Sequence, residues 1–91
     1  MEKAKQKYLV LIKLNPHKSE EFFNKIYSMH NDPVEGVRLI NSFNLFGQWD
    51  IGIWFEAENN EKAVYFVGDQ IRPVEGVIQT LTMPTTVIKE Y

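Results

Sequence analysis

The chain has no cysteine. That excludes a disulfide framework, thiol catalysis and cysteine-ligated metals, and it fits a reducing cytoplasm. Histidine is nearly as scarce, with only His17 and His30. Neither lies at metal-ligand spacing or beside a nucleophile, so both read as surface or capping residues, and no metal or other cofactor is expected. No apolar run approaches the ~20 residues of a membrane span. The "YLVLI" stretch is cut short by Lys13, which argues against a signal peptide and a membrane partner. Charge of one sign is lacking too. Ten Lys and Arg against twelve Asp and Glu leave a formal charge of −2. Such a chain has no cationic field for a phosphate backbone, so no direct nucleic-acid binding is expected. Lys3, Lys5 and Lys7 are interleaved with Glu2 and read as a solvated tail. The five glycines are scattered, so no phosphate-binding loop is present.

What is present is a soluble-protein composition of 44% apolar and 24% charged residues over 91 positions, enough for one domain. A short N-terminal tail over 1–7 and a single module over 8–91 are expected. Tyr8–Leu14 is apolar on both alternating faces, which predicts a central strand. Asn15-Pro16 breaks it. Ser19 is placed to cap a helix, with Glu20 and Glu21 in its first turn. Phe22, Ile26 and Met29 form the apolar stripe of that helix, which is expected to end near Asn31. Val37, Leu39, Phe43 and Leu45 fall on one side of a second strand, interrupted by Asn41. After the "FGQWD" turn Trp49, Ile51, Ile53, Phe55 and Ala57 alternate cleanly, so the two runs predict an antiparallel hairpin. Asn59 opens a second helix striped by Ala63, Phe66, Val67, Gln70 and Ile71. A last strand is expected from Val77 to Val87, demoted to an edge or a bulge where Pro84 falls.

"PVEGV" occurs twice, at Pro33–Val37 and at Pro73–Val77. Each copy sits between a helix end and the strand that returns from it. Proline cannot continue the helix, and glycine supplies backbone freedom that other residues lack. The repeat therefore marks two β-α-β halves. The order β-α-β-β-α-β predicts an α+β, ferredoxin-like fold, a four-stranded antiparallel sheet with two helices on one face. The opposite face, with Leu9, Leu11, Ile40 and Trp54 as candidates, would be too apolar to meet water alone. A second copy packing sheet to sheet, in a dimeric α+β barrel, is the simplest cover.

Two polar groupings stand out. In Gly47-Gln48-Trp49-Asp50 a glycine turn presents backbone N–H groups, Asp50 a carboxylate and Trp49 a flat apolar wall. Such a set can hold an amino acid. It can equally be a plain hairpin turn, with Trp49 in the core and Asp50 satisfying backbone donors. Thr80 and Thr82 point to one sheet face. Their hydroxyls can meet a small polar ligand at a subunit boundary, or be ordinary strand threonines. Glu35 and Glu75, at equivalent turns, read as solvated.

Gly47-Gln48-Trp49-Asp50-Ile51, followed by Ile71, Gly76-Val77 and Thr80-Leu81-Thr82, resembles the RAM domain, the ligand-binding module of the Lrp/AsnC transcription regulators. The likeness runs from about Lys7 to Tyr91. It implies a homodimer that assembles into higher oligomers and binds an amino acid or similar small effector between dimers. It also places Gly47, Gln48, Trp49 and Asp50 at the pocket, with Thr80 and Thr82 across it. Trp49 stands where a smaller aromatic is usual. Met1–Lys7 is too short for a helix-turn-helix, so the chain reads as a stand-alone, cytoplasmic sensor acting through a DNA-binding regulator. Two other readings share the fold class: a small barrel enzyme of the monooxygenase type, and a purely structural oligomer.

Overall fold

Alternation of apolar and polar residues places every major element of the chain. The computed structural model describes residues 5–91. Its elements are β1 (Gln6–Leu14), α1 (Glu20–Ser28), β2 (Val37–Asn44), β3 (Ile51–Ala57), α2 (Asn60–Phe66) and β4 (Val77–Pro84), with a π-helical turn over Val67–Ile71. One four-stranded sheet has the order β2-β3-β1-β4, with each neighbouring pair antiparallel. This is the expected ferredoxin-like α+β fold. The central strand β1 already includes Gln6 and Lys7, so most of the expected tail is strand or, for residues 1–4, lies outside the described residues.

One face of the sheet is the core. Tyr8, Val10, Ile12 and Leu14 of β1 are buried, as are Ile51, Ile53, Phe55 and Ala57 of β3. They meet Phe22 of α1, Ala63 and Phe66 of α2, and Val67 and Ile71 of the π turn. Phe55 stacks on Tyr8 at 5.4 Å and meets Phe66 at 5.0 Å in a tilted pair, the offset and edge-wise geometries that aromatic quadrupoles favour. The Tyr8 hydroxyl donates to Asn60 Oδ1, so the polar atom of this buried ring has its partner.

Helix termini follow the sequence unevenly. Asn59 caps α2, its Oδ1 accepting from the Lys62 N–H at 2.9 Å. Ser19 precedes α1 but makes no side-chain cap, and α1 stops at Ser28 because Met29 is already extended. The strand after α2 ends at Pro84 rather than Val87. Proline lacks the N–H needed to continue a ladder.

The two PVEGV segments adopt one conformation. Gly36 and Gly76 have φ of +80° and +97°. In each copy the second valine donates its N–H to the first, Val37 to Val34 and Val77 to Val74, both at 3.2 Å. The repeat in sequence is thus a repeat in structure.

A β-bulge changes the expected facing of β2. Register shifts between Leu39 and Asn41. Val37 and Leu39 pair with Ala57 and Phe55 and face the helices, whereas Asn41 and Phe43 pair with Trp54 and Gly52 and face away. Phe43 was expected on the side of Val37. The extra residue, Ile40, inverts the alternation beyond it. The outward face then consists of Leu9, Leu11, Phe43, Trp54, Leu81 and Met83 at its centre. The Phe43 ring lies over Gly52, so close that a Cβ there would fall 2.4 Å from Cζ. An aromatic thus covers the backbone that glycine leaves bare.

Candidate functional site

The candidate residues collect at the end of the sheet where β1 leaves and β3 enters. The connection from Leu45 to Asp50 is held mostly by Asp50. Its N–H donates to the Ile12 carbonyl at 3.0 Å, and its own carbonyl accepts from the Leu45 N–H at 2.8 Å. Its carboxylate Oδ2 accepts from the Leu14 N–H at 2.8 Å. One carboxylate oxygen therefore has a structural task, closing the β1 ladder beyond the last main-chain pair. The other, Oδ1, has no partner among the described residues and is free for a ligand.

Gly47 has φ of +127°, a conformation that side-chain-bearing residues avoid. Among the described residues, apart from its two chain neighbours, nothing lies within 4 Å of where its Cβ would be. Sterically the space beside it is open, so this glycine gives access to its backbone rather than tight packing. The neighbouring Phe46 is 98% exposed at the tip.

Between this connection and the start of α1 runs a groove of about 660 Å³. Gly47, Gln48 and Asp50 line it from one side, and Lys13, Pro16, Ser19 and Phe23 from the other. Leu45 and Ile51 supply apolar floor. The groove combines an ammonium, a carboxylate and an amide with aliphatic and aromatic wall, within the usual size of a small-molecule site. Lys13 and Phe23 were not singled out from sequence. Lys13 entered the sequence reading only as the residue that cuts short "YLVLI".

The other candidates stand apart from this groove. Trp49 is half-buried and does not line it. Thr80 and Thr82 pair with Ile12 and Val10, on the helix-covered side of edge strand β4. Thr80 Oγ1 accepts from Arg72 Nε at 3.2 Å. Arg72, Gln79 and Thr80 share a separate depression of about 360 Å³. Ile12 pairs with Ile51 on one side and Thr80 on the other. The two depressions are therefore two strand spacings apart, about 10 Å. Within one chain they remain two sites.

The remaining titratable candidates are surface groups. His17 and His30 are exposed. Glu75 pairs with Lys18 at 3.3 Å on the surface, and Glu35 is exposed. Among the described residues no group of three or more His, Cys, Asp or Glu is arranged to hold a metal ion. Among the described residues no helix is long and apolar enough to cross a membrane.

No protein-family model matches the chain, and no curated protein matches it. Solved structures do. FFRP-DM1 superposes with a TM-score of 0.69 at 17% identity, covering 89% of this chain and 99% of that one. The transcriptional regulator NMB0573 of Neisseria meningitidis, solved as a complex with L-Met, gives a TM-score of 0.75 at 12% identity. It covers 94% of this chain and 53% of the regulator. AsnC of E. coli gives 0.69 at 14% identity, over 92% of this chain and 51% of AsnC. This chain thus spans about half the length of the two regulators and nearly all of FFRP-DM1. The resemblance to the Lrp/AsnC module holds in the fold.

Proposed function

We propose that this chain is a small-molecule-sensing and oligomerisation module of the Lrp/AsnC type, and not an enzyme. Its effector is an amino acid or a close relative, bound in the groove beside Gly47, Gln48 and Asp50. The observation that carries this reading is that Lys13 and Asp50, whose Oδ1 is not taken by the Leu14 N–H, line one groove together with Phe23 and Leu45. An amino acid brings the complementary carboxylate, ammonium and side chain. The L-Met complex of the similarly folded Neisseria regulator supports the ligand class.

Homodimerisation is the second part of the proposal. A monomer of 10.7 kDa is expected to expose about 5,500 Å². This chain exposes 6566 Å². The difference, on the order of 1,000 Å², is the size of one side of a standard protein interface. The molecule measures 45 × 30 × 20 Å, one sheet and one layer of helices thick. The outward sheet face, with Leu9, Leu11, Phe43, Trp54 and Leu81, is the apolar surface on which a second copy completes the sandwich. The centre of that face offers contact area rather than acid or base groups. Thr80, Thr82 and Trp49 then contribute where dimers meet, and Arg72 holds the Thr80 hydroxyl there. Regulation passes through a DNA-binding partner in the cytoplasm, since this chain has no cationic field of its own.

The test is a thermal-shift screen across the amino acids, run with light scattering. A ligand at 100 times its Kd stabilises by about 2.7 kcal/mol. In a domain of this size about 1 kcal/mol moves Tm by roughly 4–8 °C, so a true effector is conspicuous. No shift with any amino acid refutes the ligand; a monomeric mass at all concentrations refutes the assembly.

A further inference from the structure

The C-terminal segment carries an observation that the groove and the open face do not absorb. Thr85 is the last residue tied to the sheet. Its N–H and Oγ1 both donate to the Lys7 carbonyl, at 2.9 and 3.1 Å, and its carbonyl accepts from Gln6 Nε2 at 2.6 Å. From Thr86 to Tyr91 no hydrogen bond joins the segment to the rest of the described chain. Yet the segment is rich in large apolar side chains. Val87 is 60% exposed, and Ile88 and Tyr91 are completely bare. A local cation–π contact is present within it, Lys89 Nζ lying 4.8 Å from the Tyr91 ring centroid.

Its position is informative. The segment borders a cavity of about 730 Å³, whose other walls are Lys7, Ile40, Asn41 and Trp54. Asn41 and Trp54 pair on the outward sheet face, and Ile40 is the bulged residue beside them. The segment therefore leaves β4 and heads over β1 toward β3 and β2, across the surface assigned above to the second copy. Six residues extended reach about 20 Å. A facing sheet lies about 10 Å away and neighbouring strands about 5 Å apart. The reach spans the gap between sheets and several strands beyond.

On these grounds we propose that residues 86–91 form an arm exchanged between two copies. It seats Val87, Ile88 and Tyr91 on the partner copy's outward face, beside the Ile40 bulge and Trp54. The inference rests on the dimer proposed above and adds to it a specific, mutually exchanged element. Its physical basis is burial. Against its own sheet the arm leaves Ile88 and Tyr91 in water, whereas a two-fold partner presents a second, equivalent apolar face at the right distance. Pro84 ends the ladder just before the arm, so no pairing on β4 holds it to its own chain.

The lack of cysteine makes the test direct. Ile40→Cys is introduced in a tagged chain and Tyr91→Cys in an untagged one. The two are mixed, re-equilibrated and treated with a short bismaleimide. The expected result is a tagged–untagged two-chain product, well above that from either variant alone. In the double variant Ile40→Cys/Tyr91→Cys at a concentration well above the dimer Kd, an internally linked single chain as the sole product overturns the proposal. A chain ending at Thr85 is measured in parallel by sedimentation equilibrium. Its dimer Kd is expected to rise at least tenfold with its circular dichroism unchanged. A dimer Kd equal to that of the full chain overturns the arm and leaves the dimer standing. A full chain that stays monomeric at every concentration overturns the dimer and the arm with it.

Discussion

Alanine at the two repeat glycines separates what the repeated sequence implies from what the fold imposes. Gly36 and Gly76 occupy the same position of PVEGV and have similar φ, +80° and +97°. Sequence alone predicts equal penalties for Gly36→Ala and Gly76→Ala. Both substitutions incur the strain of an L-residue at positive φ, about 1–3 kcal/mol. Their surroundings differ. At Gly36 the new methyl meets Glu58 Oε1 at 2.5 Å, the end of a flexible side chain that can swing aside. At Gly76 it meets the Lys18 backbone carbonyl oxygen at 2.0 Å and the carbonyl carbon at 2.9 Å. That backbone belongs to the β1–α1 connection, which is fastened by the Asn15 N–H to the Gly76 carbonyl at 2.8 Å and by the Lys18 N–H to the Asn15 carbonyl at 2.9 Å. Moving it adds an overpacking cost of about 1–3 kcal/mol. It also endangers a hydrogen bond worth about 0.5–1.5 kcal/mol. Gly76→Ala is therefore expected to cost about 2 kcal/mol more than Gly36→Ala. Urea unfolding followed by tryptophan fluorescence, at one fixed protein concentration, is the assay. With a slope of about 1 kcal/mol per M, the two midpoints should differ by about 2 M. Equal midpoints, or a lower one for Gly36→Ala, refute the reasoning.

Three further predictions address the site and the open face. Asp50→Ala strands the Leu14 N–H and should cost about 1–3 kcal/mol, whereas Asp50→Asn keeps an oxygen there and should cost less; both should abolish the ligand-induced thermal shift, and an undiminished shift in Asp50→Asn removes the carboxylate charge from the site. Gly52→Ala forces a methyl into the Phe43 ring, 2.4 Å from Cζ, so its penalty should fall by at least about 1 kcal/mol in a Phe43→Ala background; additive urea midpoints argue against that contact. Leu81→Asp places a charge opposite Leu11 on the outward face, and sedimentation should find a folded monomer; a dimer of unchanged affinity refutes sheet-to-sheet pairing.

Much of the fold was legible because alternation is a local property. Trp49, Ile51, Ile53, Phe55 and Ala57 read as one alternating series; the last four form the buried face of β3, whereas Trp49 lies ahead of the strand and is half-buried. Asn59 read as a helix start, and its side chain caps α2. The doubled PVEGV read as two equivalent turns, and both glycines lie at positive φ. The failures are also local. Phe43 was placed with Val37 because the interruption at Asn41 was read across as a lapse in one alternating face, whereas the single bulged residue beside it inverts every side chain after it. Ser19 has the right identity for a cap, but its side chain makes no cap bond. The π turn at Val67–Ile71 was read as continuous helix, since its apolar spacing differs little from that of an α-helix.

The candidate site shows the same division. Gly47, Gln48 and Asp50 were adjacent in sequence and line one groove. Lys13 and Phe23 join them only because β1 and α1 pack against that connection, and no spacing along the chain signals it. Thr80 and Thr82 could be read as sharing a face, but not as lying across β1 from Asp50. Side-chain periodicity and turn chemistry act over a few residues, so the amino-acid sequence by itself determined the elements, their order, the buried faces and the two matching turns. Register, bulges and the meeting of distant loops depend on contacts between residues far apart in the chain, and only the tertiary structure decided those. It alone gave Asp50 a backbone partner at Leu14 and Thr80 a side-chain partner at Arg72, and it alone left the C-terminal arm bare.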